Sequence, residues 1–293
     1  MRQPLPLARL IAGATVLGLA VAGCAPADEA SSDASSAASF DASACVKDQL
    51  DTITDGTLTI ATGQPAFEPW VIDDNPESGE GFEAAIAYAA AEQLGYAPDD
   101  IVWVRTTFDS AVAPGEKTFD WNLQQYTITE DRAIAVDFSS PYYEASQVVV
   151  TTSGSQIDGA TTLADLQDAK LGAAVGSTSL DDAQEIINPT TQVAVFNDNA
   201  AAVSALENGQ IDGIVIDLPS GYEMVGSQLD DGVIVGQLPG TASGESDSLG
   251  ILLEKDSSLT ACTSWAVDQL RDDGTLAALE EEWIQAGGAP VLQ

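Results

Sequence analysis

Two α/β lobes with mixed, mainly parallel sheets, joined by a two-strand hinge, are the fold class this sequence predicts. Three observations predict it. Short β-rich runs alternate with helical patterns from Leu58 to Tyr143; the alternation restarts after Val148; and two extended runs, Gln147–Thr152 and 249–253, lead out of the first and the second block. Strand, helix, strand in repetition builds parallel sheets with helices on both faces.

In the first block, Leu58–Thr62 is a strand run and 81–94 an Ala-rich helical stretch. Ile101–Arg105 precedes a short helical turn, and 119–126 leads into the segment T-I-T-E-D-R at 127–132. In the second block, 170–175 precedes a helix starting near Thr178, 192–196 precedes a helix over 199–208, and 213–216 precedes one over 219–227. After 249–253 only helices remain, carrying the amphipathic set Leu259, Trp265, Leu270, Leu276, Leu279 and Trp283, with Gly274 as punctuation. The chain therefore crosses between lobes twice and ends in the first. Residues 45–146 with 248–293 form lobe 1, and 147–247 form lobe 2. A ligand site belongs in the cleft between them, at the carboxyl ends of the parallel strands.

Ahead of this body, residues 1–23 carry Arg2, Arg9 and an apolar run over 10–22, too short to span a bilayer but suited to an export signal. Its ending, Val21-Ala22-Gly23-Cys24, resembles the lipobox of bacterial lipoproteins, which implies acylation of Cys24 and a membrane anchor; an ordinary export signal is the alternative. Residues 24–44 are almost wholly Ala, Ser, Asp and Glu and read as a flexible tether. With Cys24 lipidated, Cys45 and Cys262 are an even pair in an oxidising compartment, and a disulfide between them is expected over two separate buried thiols.

Without the leader the chain has 7 basic against 46 acidic residues, a formal charge of −39. Such a field repels nucleic acid and anionic lipid and favours solubility as a monomer. The chain has no histidine, which removes the commonest general base and transition-metal ligand. The acids form no D-x-[DN]-x-[DN]-G loop, and neither metal nor cofactor is expected.

Arginine is scarce: Arg105, Arg132 and Arg271 are all that remain. Arg132 sits in a Thr-rich loop before a strand, where a planar fork can meet both oxygens of a carboxylate; a salt bridge to Asp131 or Asp137 is the alternative. T-I-T-E-D-R, followed by V-D-F-S-S-P-Y-Y at 136–143, resembles the type II periplasmic (solute-) binding proteins, specifically the polar amino-acid-binding lipoproteins of ABC importers, with their Venus flytrap fold. The resemblance implies that Arg132 and Thr127 hold the ligand α-carboxylate, with the turn at Ser177 and Thr178 as a second clamp. It also implies that Asp217 takes the α-ammonium and that Phe67 and Phe108 wall the side chain. Plain helix capping is the competing role for Ser177, Thr178 and Asp217. Trp70 and Trp121 are weaker wall candidates. Gln64, Gln124 and Gln125 suggest an uncharged polar ligand, whereas an acidic one needs a second cation, for which Arg105 is the nearby choice. Partners implied are an amino acid, a membrane permease and, through Cys24, the membrane. The rival readings are a dehydratase-like enzyme on the same fold, using Glu68 or Glu83, and a ligand-sensing receptor subunit.

Overall fold

The structure, a computed structural model, describes residues 40–244, 246–284 and 288–293. The leader 1–23, the lipidation position Cys24 and the tether up to residue 39 lie outside the described residues. Twelve strands and eight α-helices follow one another through the described body. Its first half runs β1 Leu58–Thr62, α1 Phe82–Gln93, β2 Ile101–Arg105, α2 Phe108–Val112, β3 Trp121–Asn122, α3 Glu130–Ala133, β4 Val136–Phe138, β5 Tyr143–Ala145 and β6 Gln147–Thr152. Then come β7 Leu171–Ala174, α4 Thr178–Asp182, β8 Ala194–Phe196, α5 Asn199–Glu207, β9 Gly213–Asp217, α6 Leu218–Glu223 and β10 Gly232–Gln237. The chain closes with β11 Asp247–Leu249, β12 Leu252–Glu254, α7 Thr260–Asp272 and α8 Thr275–Trp283.

The strands form two five-stranded sheets, ordered β2-β1-β3-β12-β4 and β10-β6-β9-β7-β8. Each has a parallel core, β2-β1-β3 in one and β9-β7-β8 in the other, extended by antiparallel strands. The sheets are thus mixed, because strands carrying the chain into or out of a lobe must run against those that βαβ units build. Between the sheets, β5 pairs antiparallel with β11, Tyr143 opposite Leu249 and Ala145 opposite Asp247. This pair is the two-strand hinge.

The first lobe is cored by Leu58, Ile60, Trp70, Phe82, Ile86 and Trp121, with Ala266, Val267 and Leu270 of α7 packed on them. Cys45 and Cys262 form the expected disulfide, closing a loop of 217 residues. The end of the tether is regular: Ala42–Ala44 makes a 3₁₀ turn capped by Asp41. Among the described residues, no helix is long and apolar enough to cross a membrane.

Two expectations need correction. The strand expected over 119–126 shortens to Trp121–Asn122, since the chain turns away at Gln125, whose φ is +52°. The chain also does not end in the first lobe. Leu292 is buried in the second lobe's core and its N–H donates to Gln237 O, while Gln293 N–H donates to Thr161 O. Gly236, in β10, leaves the space that Leu292 fills, since a Cβ there would meet Leu292 at 2.8 Å. Residues 248–284 belong to lobe 1, but the tail 288–293 packs on lobe 2.

Candidate ligand-binding cleft

The carboxyl ends of the parallel strands deliver their loops to one cavity of about 180 Å³. From the first lobe it is lined by Gln64 and Phe67 after β1, Thr106, Thr107 and Phe108 after β2, Gln124 and Gln125 after β3, and Arg132 in α3. From the second it is lined by Ser177, Thr178 and Ser179 after β7, Asn197, Asp198 and Asn199 after β8, and Asp217 at the end of β9. Eight of the nine residues singled out from sequence share this wall, and the ninth, Thr127, is buried directly behind it.

Arg132 is placed by a one-turn helix whose N-cap, Thr129, accepts from the Arg132 amide at 3.2 Å. Its guanidinium lies 5.2 Å from the Phe108 ring centroid, within cation–π range. Nη1 donates to Thr127 O at 2.7 Å and Nη2 to Gly176 O, in the opposite lobe, at 2.9 Å. Three of its five N–H donors remain after these two bonds. The salt-bridge alternative does not hold for Asp137, which pairs with Lys255 at 3.0 Å, and no ion pair of the described residues includes Arg132. Burial pushes its pKa down, against the pull of Tyr126, Asp181, Asp247 and Asp217. The carboxylates of Glu130, Asp131, Asp181, Asp182, Glu185 and Asp247 line a second hollow behind it and balance its charge at a distance.

Asp217 occupies the N-cap position of α6 but makes no side-chain capping bond, so the competing capping role is not the one it plays. Its Oδ1 accepts from Gln147 Nε2 at 2.7 Å, and the same amide reaches Asp247 Oδ2 at 3.3 Å. Desolvation, then the charges of Asp247 and Glu83, push the Asp217 carboxyl up to about 7, although Gln147 and Arg132 pull it down. Ser177 does cap α4: its Oγ accepts from Leu180 N at 3.2 Å and donates to Ala174 O at 2.8 Å. Gly176 has φ +68°, a conformation disfavoured for other residues, and it brings the turn against the first lobe, where a Cβ would meet Asp109 Oδ1 at 2.9 Å. Thr178 Oγ1 meets Thr127 Oγ1 across the cleft at 3.2 Å.

Gln125 is held from below by a carboxylate that the cavity does not touch. Glu83, 1% exposed, accepts from Gln125 N at 2.7 Å, Gln125 Nε2 at 2.5 Å and Tyr142 Oη at 2.5 Å. Desolvation pushes Glu83 up to about 7 despite these donors. Neither Glu83 nor Glu68 lines the cavity. Arg105 is also spent, on Asp74 Oδ1 at 2.5 Å and Gly63 O at 2.7 Å, so it is not a second cation in the cleft. Trp70 and Trp121 are fully buried and wall nothing there. Sequence reasoning missed Asn197-Asp198-Asn199, where Asp198 caps α5 by accepting from Ala201 N at 2.8 Å. The available signal was their position after a parallel strand and before a helix.

The model of bacterial extracellular solute-binding proteins, family 3, matches residues 58–286. The L-arginine-binding protein of Pseudomonas aeruginosa is 26% identical over 236 residues, covering 75% of this chain and 85% of that protein. The L-cystine-binding protein TcyJ of Escherichia coli is 26% identical over 236 residues, covering 79% of this chain and 84% of that protein. Among solved structures, an ancestral arginine-binding protein bound to arginine matches with a TM-score of 0.64 at 29% identity, over 78% of this chain and 98% of its own. With the hinge, the paired sheets and the cleft in place, the match settles the family: this chain belongs to the bacterial extracellular solute-binding proteins, family 3.

Proposed function

We propose that the protein is the lipid-anchored binding component of an ABC importer, which captures a polar amino acid between its lobes and delivers it to a membrane permease. The observation that carries this reading is the placement of Arg132 and Asp217 on opposite walls of one cavity. A guanidinium with N–H donors to spare and no ion-pair partner among the described residues suits an α-carboxylate, and a carboxylate with no capping duty suits an α-ammonium. Ser177 and Thr178 complete the head-group contacts, with Thr127 behind them bracing Arg132 through its carbonyl and Thr178 through its hydroxyl; Phe67 and Phe108 desolvate the side chain, and Gln64 and Gln125 offer it amides. Relatives that bind arginine and cystine support an amino acid ligand. Export and anchoring rest on the leader and Cys24.

The test is a thermal-shift screen of the protein against the twenty amino acids, with and without Arg132→Ala. At least one polar amino acid raises Tm in the wild type, and the substitution abolishes the shift. No shift with any α-amino acid, or a full shift in the variant, refutes the proposal.

A further inference from the structure

Among the described residues, three hydrogen bonds cross the cleft. Two, Arg132 Nη2 to Gly176 O and Thr127 Oγ1 with Thr178 Oγ1, use groups at the ligand site itself. The third joins Trp70 Nε1 to Ser220 Oγ at 2.8 Å, and neither partner lines the cavity. We propose that Trp70 and Ser220 form a latch between the lobes that stabilises the closed state and so sets ligand affinity without touching the ligand. This rests on the proposed function, in which an amino acid is captured between the two lobes.

The surroundings of the pair suit that role. Trp70 is 0% exposed and Ser220 7%, so in the closed state neither can exchange its partner for bulk water. A buried indole N–H without an acceptor is costly, whereas an opened cleft would hydrate it. The bond is therefore worth more closed than open, which is the differential contact a closure latch requires. The indole also packs on the hinge: its centroid is 5.9 Å from that of Tyr143 in β5 and 6.0 Å from that of Phe82 in α1. Ser220 lies three residues after Asp217, in the first turn of α6, with Pro219 fixing the entry between them. The latch thus links the hinge strand to the helix that carries the proposed ammonium acceptor. Both are positioning residues, acting through the lobe arrangement.

The test is Ser220→Ala, a helix-compatible substitution that removes one oxygen, with L-arginine and L-glutamine as probes in calorimetry and stopped-flow. Dissociation constants for each probe that binds weaken by about five- to a hundredfold, through faster release. Where both bind, the two constants weaken by one common factor, because the latch is blind to the side chain. Ser220→Thr, which keeps the hydroxyl, restores affinity to within about twofold of wild type. Adding Trp70→Phe to Ser220→Ala costs less than the two single losses combined. In the ligand-free protein, X-ray scattering of Ser220→Ala shifts toward a more open form.

If wild type binds neither probe and no other amino acid, the amino acid reading fails, and scattering alone decides the latch. Wild-type affinity and scattering in Ser220→Ala overturn it. So does a loss confined to one of two bound probes, which would place Ser220 in the side-chain pocket.

Discussion

Binding is expected to weaken in acid through Asp217, by an amount the site geometry sets. The carboxyl sits at about 7 because it is desolvated beside Asp247 and Glu83. A ligand ammonium needs it ionised, so binding expels whatever proton it holds. The sign follows: affinity is full above this pKa and falls as the pH drops through it. The ionised fraction is near one at about pH 8 and near one hundredth at about pH 5, a loss of about 100-fold, or ~2.7 kcal/mol. The ligand's own α-carboxylate and α-ammonium keep their charges over that window. Arg132, though lowered by burial, stays a cation throughout. Asp247 is raised as well and shares the Gln147 amide, so the apparent pKa belongs to the pair. Calorimetry over this window, in two buffers of different ionisation enthalpy, counts the protons released: about half at pH 7 and close to one at pH 5. A flat dissociation constant with no proton release would refute the assignment of Asp217 as the ammonium acceptor.

Two other perturbations report on the scaffold. Glu83, ordinarily near 4.5, is raised to about 7 when folded, so its stabilising contribution is greatest in acid and is lost as the pH rises to 7. Wild type should therefore lose about 2.5 kcal/mol relative to Glu83→Gln between pH 5 and pH 8, read as a fall in its Tm relative to the variant, and a difference independent of pH excludes the buried charge. Reducing the Cys45–Cys262 disulfide opens a loop of 217 residues and should cost about 2–5 kcal/mol. An unchanged Tm with both thiols shown to be free contradicts that.

The strand and helix order was legible because it rests on local signals: β-branched runs, Ala-rich stretches and Asp, Ser or Thr caps. β1, α1, β2 and α5 fall within two residues of where patterning puts them. The positions of Arg132 and Asp217 on the cavity wall were legible because a guanidinium in an Arg-poor chain and an acid at a strand end need few alternatives weighed. Long-range structure was not. Leu292 looks like any apolar residue near a terminus, and only its folded contacts, with the space above Gly236 and the Gln237 carbonyl, show that it belongs to the second lobe. Glu83 drew notice in the sequence only as a candidate acid–base group of the rival enzyme reading, not as a buried support for Gln125. Its burial is fixed by Tyr142, 59 positions away, and by a backbone turn at Gln125 that carries no local signature. Trp70 drew notice as a wall candidate, while its partner Ser220, 150 positions on, did not. Contacts across a cleft combine segments that periodicity treats separately.

On the proposed function, the geometry of the cleft explains why one arginine suffices among so many acids. In the first lobe, Arg132 answers to its own loop through Thr127 O. Across the cleft its hydrogen bond among the described residues is to a carbonyl, Gly176 O, while the carboxylates of Asp181 and Asp247 act on it only at a distance, without a direct ion pair. Asp217 is held by an amide, also neutral. Both charges are thus solvated by dipoles sufficient to keep them buried but weaker than an ion would be. Had either found an ion-pair partner within the protein, capture would have to break that pair before making a new one. A zwitterion placed between them converts two charge–dipole contacts into charge–charge contacts, and it can do so only when the lobes are together. On the proposed function, the scarcity of cations is then part of how the ligand is held. It leaves the fork of Arg132 as the one guanidinium on the cavity wall and leaves Asp217 at about 7, poised to ionise when an ammonium group arrives.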